Sequence, residues 1–499
     1  MTDPAGLGAI LVVCALTLAA GTYGLRISRA TSDFYVAGRT VNPWRNASAI
    51  GGEYLSAASF LGVAGVVYAQ GIDMLWLRIG YAIGCVVLMV LVAAPLRRSG
   101  AYTLADFAEL RLESRRIRIA CSLLVVAIGW LYLIPQFQGA GIALHTVTGW
   151  PGWIGAVLVA VVTTIAVSAG GMRSITLVQA MQYWLKLTAI SIPAFILLAV
   201  WRSTPGAPPP DPTLWVRPAT TAAHGLYATG STLLALSLGT MGLPHVLVRF
   251  YTNPDGRDAR RTTVIVVGLL GAFYVFPPVY AMVARAYQPG LAPGLSDTIV
   301  LTTPDLVLHD PLRTVAAALL AGGAFAAFLS TASGLLMSIA GVVDQDLVRS
   351  ILPRLAGGDL PPRLGLRVSA LGAAVVPLIV SMLLPRAGLA TIVGLAFAVA
   401  ASTFTPLLAL GVWWPRLTTI GAGAGLAVGA CSAGAAVLMT ILGGNPDGWL
   451  GSLLAQPAAW SSPLAFAVAV LVSLATPATI PPHVNRTLAR LHTPESLLD

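Results

Sequence analysis

Two hydroxyl residues, Ser330 and Thr331, lie in the middle of the apolar stretch GGAFAAFLSTASGLLMS at 322–338. On a helix the carbonyl of Ala327 lies one turn before these hydroxyls, so three oxygens can face one point. A hard monovalent cation such as Na⁺ binds such oxygens, and it needs no carboxylate where enough dipoles converge. Serine and threonine in membrane helices also bond back to the carbonyl four residues earlier, without any ion. The pattern alone predicts a candidate cation site and leaves the back-bonded alternative open.

Two further apolar stretches carry residues that weaken a helix: GGEYLSAASFLGVAG at 51–65 and SLGTMGLPHVLVRF at 237–250. In the second, Pro244 has no amide hydrogen and clashes with the preceding turn. Both stretches leave backbone groups unpaired at mid-membrane depth, which is tolerated where a substrate, an ion or water supplies partners. The alternative is a pair of small-residue packing helices, one of them kinked by proline.

Glu53 is the one carboxylate near the middle of the first of these stretches. An ionisable residue at that depth indicates function by default, and three roles compete: pairing with a basic residue, ion coupling as a proton carrier, and contact with substrate. Arg78 could snorkel to the surface, draw an anion into an outer vestibule, or pair with Asp73 or Glu53. His245 could hydrogen-bond the opened backbone or take part in proton coupling. Lys186, the only lysine, could pair with another group or act in gating.

The composition requires a membrane protein. Of 499 residues, 57% are hydrophobic and 10% are charged, and the mean hydropathy is +0.82; soluble domains carry roughly 25% charged residues. We therefore expect one transmembrane domain over residues 1–499. The net charge of +10 is not concentrated in a basic domain that could bind nucleic acid. The four cysteines lack the spacing of metal ligands. The spans contain neither the HExxH nor the GxSxG motif of known enzymes.

Hydropathy predicts an all-α fold of about thirteen transmembrane helices. We number them as spans in chain order, at approximately 5–25, 46–69, 74–95, 119–143, 151–169, 179–201, 226–249, 263–284, 313–341, 366–385, 388–413, 418–442 and 462–480. Gln136 and Gln138 lie in the middle of span 4, where polar side chains either line a cavity or join helices.

The arginines set the expected orientation. They are concentrated in alternate loops, for example at Arg97, Arg98, Arg115 and Arg116, and positive loops mark the cytoplasmic side. We expect the N-terminus outside and the C-terminus in the cytoplasm, in the plasma (inner) membrane. The first apolar run has no basic residue before it and Arg29 after it, the reverse of the charge order of a signal peptide.

The two interrupted stretches lie in spans 2 and 7, which are five spans apart and cross in opposite directions. Broken helices at matching places in two inverted halves indicate the central site of a transporter. We expect halves of spans 2–6 and 7–11, at approximately 46–201 and 226–413, with spans 1, 12 and 13 outside the repeat.

Five stretches, in order, resemble the sodium:solute symporter family over nearly the full length of the chain. They are SDFYVAGR at 32–39, EYLSAASFLGVAG at 53–65, GGMRSITLVQAMQ at 170–182, GLPHVLVRFYTN at 242–253, and FLSTASG followed by DQDLVR at 328–349. The sequences SAASFLG and GLPHVLVRF are most similar to those of the cation/acetate symporters, which carry short monocarboxylates.

The resemblance implies a LeuT-type 5+5 inverted repeat and a sodium site between spans 2 and 9. That site would use the carbonyls of Gly52, Leu55 and Ala327 with the hydroxyls of Ser330 and Thr331. The positions that match the family's substrate site are Tyr54, Ser56, Ala57, Leu236, Thr240 and Pro244, and Gln136 is a further candidate.

Three of those positions differ from the proline carriers, which have an aspartate in place of Tyr54 and aromatic residues in place of Leu236 and Thr240. The differences argue against proline and favour an anionic substrate.

We therefore expect a secondary active symporter, not an enzyme, that couples Na⁺ influx to the uptake of acetate or propionate by alternating access. The alternative is the same fold carrying another organic solute or coupled to H⁺. The expected partners are a small organic anion, Na⁺ and membrane lipid, with no nucleic acid, no cofactor beyond the coupling ion, and a monomer as the functional unit.

Overall fold

The computed structural model describes residues 3–27, 36–212, 224–348, 362–384 and 388–497. All the regular structure in these ranges is helical, without a strand. The all-α prediction is confirmed. Arg29 and the first half of the SDFYVAGR stretch, residues 32–35, lie outside the described residues.

Ten helices among the described residues are long and apolar enough to cross a membrane, and two bent helix pairs pass the same test together. The unbent spans have the bounds Pro4–Tyr23 (span 1), Ile72–Leu91 (3), Arg115–Thr148 (4), Gly152–Ser203 (5 and 6), Gly256–Tyr287 (8), Leu312–Asp346 (9), Leu364–Leu383 (10), Leu389–Trp413 (11), Thr419–Ile441 (12) and Ala458–Ala475 (13). The bent pairs are Pro43–Tyr54 with Ala58–Gln70, here called 2a and 2b, and Gly225–Gly242 with Pro244–Phe250, here called 7a and 7b.

The helix Gly152–Ser203 contains 52 residues and would be about 78 Å long if it were straight, far beyond the roughly 30 Å of a hydrocarbon core. Gly171 interrupts it with φ 61° and ψ −167°, a conformation that glycine adopts without steric cost. Residues 152–170 and 172–203 thus form spans 5 and 6. With Gly152–Ser203 counted as two spans and each bent pair as one, the described residues contain thirteen candidate spans, the number predicted.

Spans 9 and 11 lie at the centre of the bundle. In their most apolar stretches 78% and 89% of the residues are buried, against 33% in spans 1, 3, 12 and 13. Span 9 packs against spans 1, 4 and 10 and against the Gly152–Ser203 helix. The outer spans present large apolar side chains, such as Phe195, Leu371 and Leu471, where a bilayer would contact them.

Shorter helices lie between the spans, at Ala93–Arg98, Leu104–Leu112, Ile299–Val307 and Trp449–Ala455, and one follows span 13, at Val484–His492. Leu104–Leu112 begins with a capping box of Thr103 and Asp106, which satisfies amides at the start of the helix. Arg118 at the start of span 4 joins this helix to the end of span 9, with N–O distances of 2.8 Å to Asp106, 2.6 Å to Glu109 and 2.6 Å to Asp346.

Candidate functional site

Span 2 is broken between Tyr54 and Ala58, where 2a and 2b meet at 69°. Leu55 leaves the helical conformation with φ −77° and ψ 74°. The freed amide of Ala57 donates to Oε1 of Gln136 in span 4 at 2.9 Å. Gln136 Nε2 in turn donates to the carbonyl of Tyr132 at 3.2 Å. Gln136 therefore supplies the backbone partner that the break requires.

Span 7 is broken at Leu243, where 7a and 7b meet at 44° and Pro244 begins 7b. The hydroxyl of Thr405 in span 11 donates to the carbonyl of Leu238 in 7a at 2.7 Å. A Cβ on Gly239 would lie 2.4 Å from the carbonyl oxygen of Phe397, so span 11 approaches 7a at backbone distance. Both breaks are confirmed as structural features, and both have polar partners from neighbouring spans.

A buried ion pair joins the two broken spans. Glu53 Oε2 of 2a accepts from Arg249 Nε of 7b at 2.9 Å, and the two side chains are 0% and 1% exposed. Arg249 also donates to the hydroxyl of Thr176 at 2.8 Å and to Oε1 of Gln179, both in span 6. Of the three roles expected for Glu53, the geometry supports pairing, and the partner is Arg249 rather than Arg78.

The predicted cation ligands do come together between spans 2 and 9. The hydroxyl of Ser330 donates to the carbonyls of Gly52 at 2.7 Å and Ala327 at 3.1 Å. The hydroxyl of Thr331 donates to the carbonyl of Glu53 at 2.7 Å. Both hydroxyls thus contact 2a instead of bonding only within their own helix. Thr331 thus reaches a different carbonyl of 2a from the one that Ser330 contacts.

The side chain of Lys186 reaches into this cluster from span 6. Its Nζ donates to the carbonyl of Leu55 at 2.9 Å, to Oγ of Ser330 at 2.7 Å and to the carbonyl of Gly52. The lysine is 0% exposed. The Lys186 amine therefore contacts three of the oxygens that the resemblance implies as Na⁺ ligands.

The residues predicted to contact substrate surround the two breaks. Tyr54, Ser56, Ala57 and Thr240 are all buried. Thr240 donates its hydroxyl to the carbonyl of Leu236 at 2.6 Å, within its own helix.

Aromatic rings that the sequence did not single out pack beside them. Tyr81 lies edge-on to Tyr54 with centroids 6.2 Å apart and edge-on to Phe397 at 5.2 Å. Tyr132 lies 6.0 Å from Phe397. Periodicity does not distinguish these rings from lipid-facing or packing aromatics, because spans 3, 4 and 11 come together only in the fold.

Arg78 and His245, the other two candidates for coupling or gating, both lie against aromatic rings. The guanidinium of Arg78 lies 5.0 Å from the ring centroid of Tyr274 and 5.5 Å from that of Tyr81, within the range of a cation–π contact. The ring of His245 lies edge-on to Tyr132 at 5.2 Å. Within the described residues His245 Nε2 has no hydrogen-bond partner, so this nitrogen does not satisfy the opened backbone.

Comparison with solved structures places this arrangement in a known fold. The chain is similar to a Na⁺-coupled sialic acid symporter in its substrate-bound outward-open state, with 16% identity, a TM-score of 0.70, and coverage of 95% of this chain and 97% of that one. It is also similar to Mhp1, a nucleobase-cation-symport-1 family transporter, at 13% identity and a TM-score of 0.55 over 93% and 99% of the two chains. The match to MhsT, solved with L-phenylalanine, has 15% identity and a TM-score of 0.53 over 86% and 98%.

These neighbours are LeuT-fold transporters, and likeness at this level of identity shows the fold. The sequence model of the Sodium:solute symporter family matches residues 34–429 of this chain. Since the match extends over most of the 499 residues, the chain belongs to the Sodium:solute symporter family.

Proposed function

We propose that the chain is a secondary active symporter that moves a small organic solute through the membrane by alternating access. One observation carries this proposal: two broken helices, spans 2 and 7, are joined inside the bundle by the buried pair of Glu53 and Arg249. Broken helices with their free backbone ends at the bundle centre are how transporters of this architecture build a site. Rocking of spans 2 and 7 against their surroundings would expose that site to each side in turn.

The driving force in this proposal is a cation gradient. Na⁺ is the coupling ion that the family implies. H⁺ is the second candidate, favoured by the Lys186 amine at the oxygens between spans 2 and 9. In this proposal the two inverted halves are approximately 46–201 and 226–413, and the N-terminus lies outside the cell.

A short monocarboxylate such as acetate or propionate is the first candidate solute. Tyr54 supplies no negative charge where the proline carriers have an aspartate. The nearest carboxylate, Glu53, is bound to Arg249, which reduces its repulsion of an anion. Helix 7b begins at Pro244, and the start of a helix carries partial positive charge. Another organic solute remains the alternative, since these features select charge rather than shape.

Uptake by purified protein in liposomes tests the substrate. Radiolabelled acetate, propionate, proline and galactose are offered one at a time under an inward Na⁺ gradient and then under an inward proton gradient. We expect protein-dependent uptake of acetate or propionate. Uptake of proline or galactose alone would replace the monocarboxylate, and uptake of none of the four solutes under either gradient would contradict the monocarboxylate assignment.

A matched pair of serine variants tests whether the solute binds at the break of span 2. Ser56 is fully buried in the break of span 2, and Ser191 lies in span 6 with its hydroxyl exposed. Loss of one hydrogen bond to the solute should raise the KM of Ser56→Ala about three- to tenfold, with an unchanged KM in Ser191→Ala. Equal KM values in both variants would remove Ser56 from the substrate site.

A further inference from the structure

The cation cluster between spans 2 and 9 is complete without a bound ion. The three N–H groups of an ammonium need three acceptors. Lys186 Nζ has them in the carbonyls of Gly52 and Leu55 and in Oγ of Ser330. These three oxygens belong to the five ligands that the resemblance implies for Na⁺.

The charge of the cluster also matches that of a monovalent cation site. Among the described residues Lys186 has no carboxylate within ion-pair distance, and the nearest candidate, Glu53, is bound to Arg249. The ammonium is therefore held by backbone dipoles at the end of helix 2a, where the partial charge of a helix is negative. A Na⁺ ion in the same cluster would add a second unit charge a few ångströms away in a buried site, which is strongly unfavourable.

The lysine connects the same helices that an ion would connect. Its own backbone belongs to span 6, two of its acceptors belong to span 2, and the third belongs to span 9. Gln179, two turns before it in span 6, donates to the carbonyl of Ser330 at 2.7 Å and so fixes spans 6 and 9 together. The ammonium thus stabilises the contact of 2a with span 9.

We propose that the Lys186 side chain is a built-in cation that replaces Na⁺ at the site between spans 2 and 9. This inference rests on the proposed symport only for its consequence in transport. A proton gradient, or Na⁺ bound at another position, then supplies the driving force. The oxygens of Gly52, Leu55 and Ser330 keep the arrangement of an ion site, and the Lys186 amine occupies that site.

Thermal unfolding of the purified protein in NaCl, compared with equal KCl, tests the replacement without any solute. Because Lys186 occupies the cluster, any difference in Tm between the two salts should be the same in the wild type and in Ser330→Ala. Lys186→Ala frees the carbonyls and Oγ of Ser330, so NaCl should raise its Tm by about 2 °C or more. Adding Ser330→Ala to that variant should abolish the response. Lys186→Met, which fills the space with an apolar chain, should show no response to Na⁺.

If Lys186→Ala does not fold, a comparison that leaves Lys186 in place tests the replacement of Na⁺. Binding of radioactive Na⁺ to the wild type and to Ser330→Ala is then compared. Na⁺ binding or Na⁺ stabilisation of the wild type that Ser330→Ala abolishes would overturn the proposal. The absence of such a Ser330-dependent signal supports it. Neither result depends on uptake, so a failed transport assay contradicts the proposed function and leaves this test unaffected.

Discussion

At the residue scale, Glu53 and Arg249 connect four helices that are distant in the sequence. The carboxylate binds Arg249 of 7b, and Arg249 binds Thr176 and Gln179 of span 6. The backbone carbonyl of Glu53 meanwhile accepts from Thr331 of span 9. A buried pair with further hydrogen bonds costs much to desolvate, and removal of one partner leaves an uncompensated charge. The pair therefore fixes helix 2a and helix 7b in one arrangement.

Arg249→Met should destabilise the protein strongly, because Glu53 would be left buried without its partner. The expected loss is about 3–5 kcal/mol in the free energy of unfolding, seen as a large drop in Tm and in yield from detergent. Arg260→Met is the matched control, since Arg260 is exposed at the start of span 8, and it should change Tm little.

The double variant Glu53→Gln with Arg249→Met should recover part of the lost stability, because it removes both charges. An Arg249→Met variant as stable as Arg260→Met would show that the pair does not hold the helices.

The sequence predicted a pairing role for Glu53 as one of three. It also predicted Ser330 and carbonyls of span 2 as Na⁺ ligands; the structure brings these groups together, and their binding of Na⁺ stays a prediction. The sequence did not identify Arg249 as the partner, which is 196 positions away. Nor did it place Lys186 at the ion site. A side chain four methylenes long can reach several neighbours, and the choice among them depends on helix packing that one chain's sequence pattern does not encode.

At the scale of elements, the breaks depend on close contact between helix backbones. A Cβ on Gly52 would lie 2.4 Å from the carbonyl oxygen of Gln179 in span 6. Only a glycine lets 2a approach span 6 this closely, and that approach brings the Lys186 amine to the carbonyls. Glycine and proline in spans 2 and 7 predicted where the helices open. Gln136 accepts from the freed amide of Ala57, and Thr405 donates to the carbonyl of Leu238 in 7a; both come from other spans and became visible only in the fold.

Gly52→Ala should separate 2a from span 6 and lower Tm, although alanine is the better helix former by about 1 kcal/mol. Gly268→Ala is the matched control, because Gly268 lies inside a helix of span 8 with no atom within 4 Å of its added Cβ. It should keep or slightly raise Tm. Equal Tm values for the two variants would mean that helix 2a does not need this contact.

At the scale of the whole molecule, hydropathy gave the number of spans because each must cover the same apolar thickness. Their ends shifted by several residues; span 4, expected at 119–143, extends over Arg115–Thr148. The chain also contains connecting helices, such as Leu104–Leu112, that are too short to give a hydropathy signal. Which spans lie at the centre could not be read from composition, since spans 11 and 13 are similarly apolar but differ greatly in burial.

Coupling itself belongs to the whole molecule, and accumulation of solute in liposomes measures it most directly. With a transported solute, inward gradients of Na⁺ and of protons are imposed separately, and protein-free liposomes correct for passive entry of a weak acid. The account predicts that under at least one gradient the internal concentration rises above the external one. It should return to equality when an ionophore collapses that gradient. Protein-dependent entry that stops at equal concentrations under both gradients would contradict it, because the protein would then be a passive carrier.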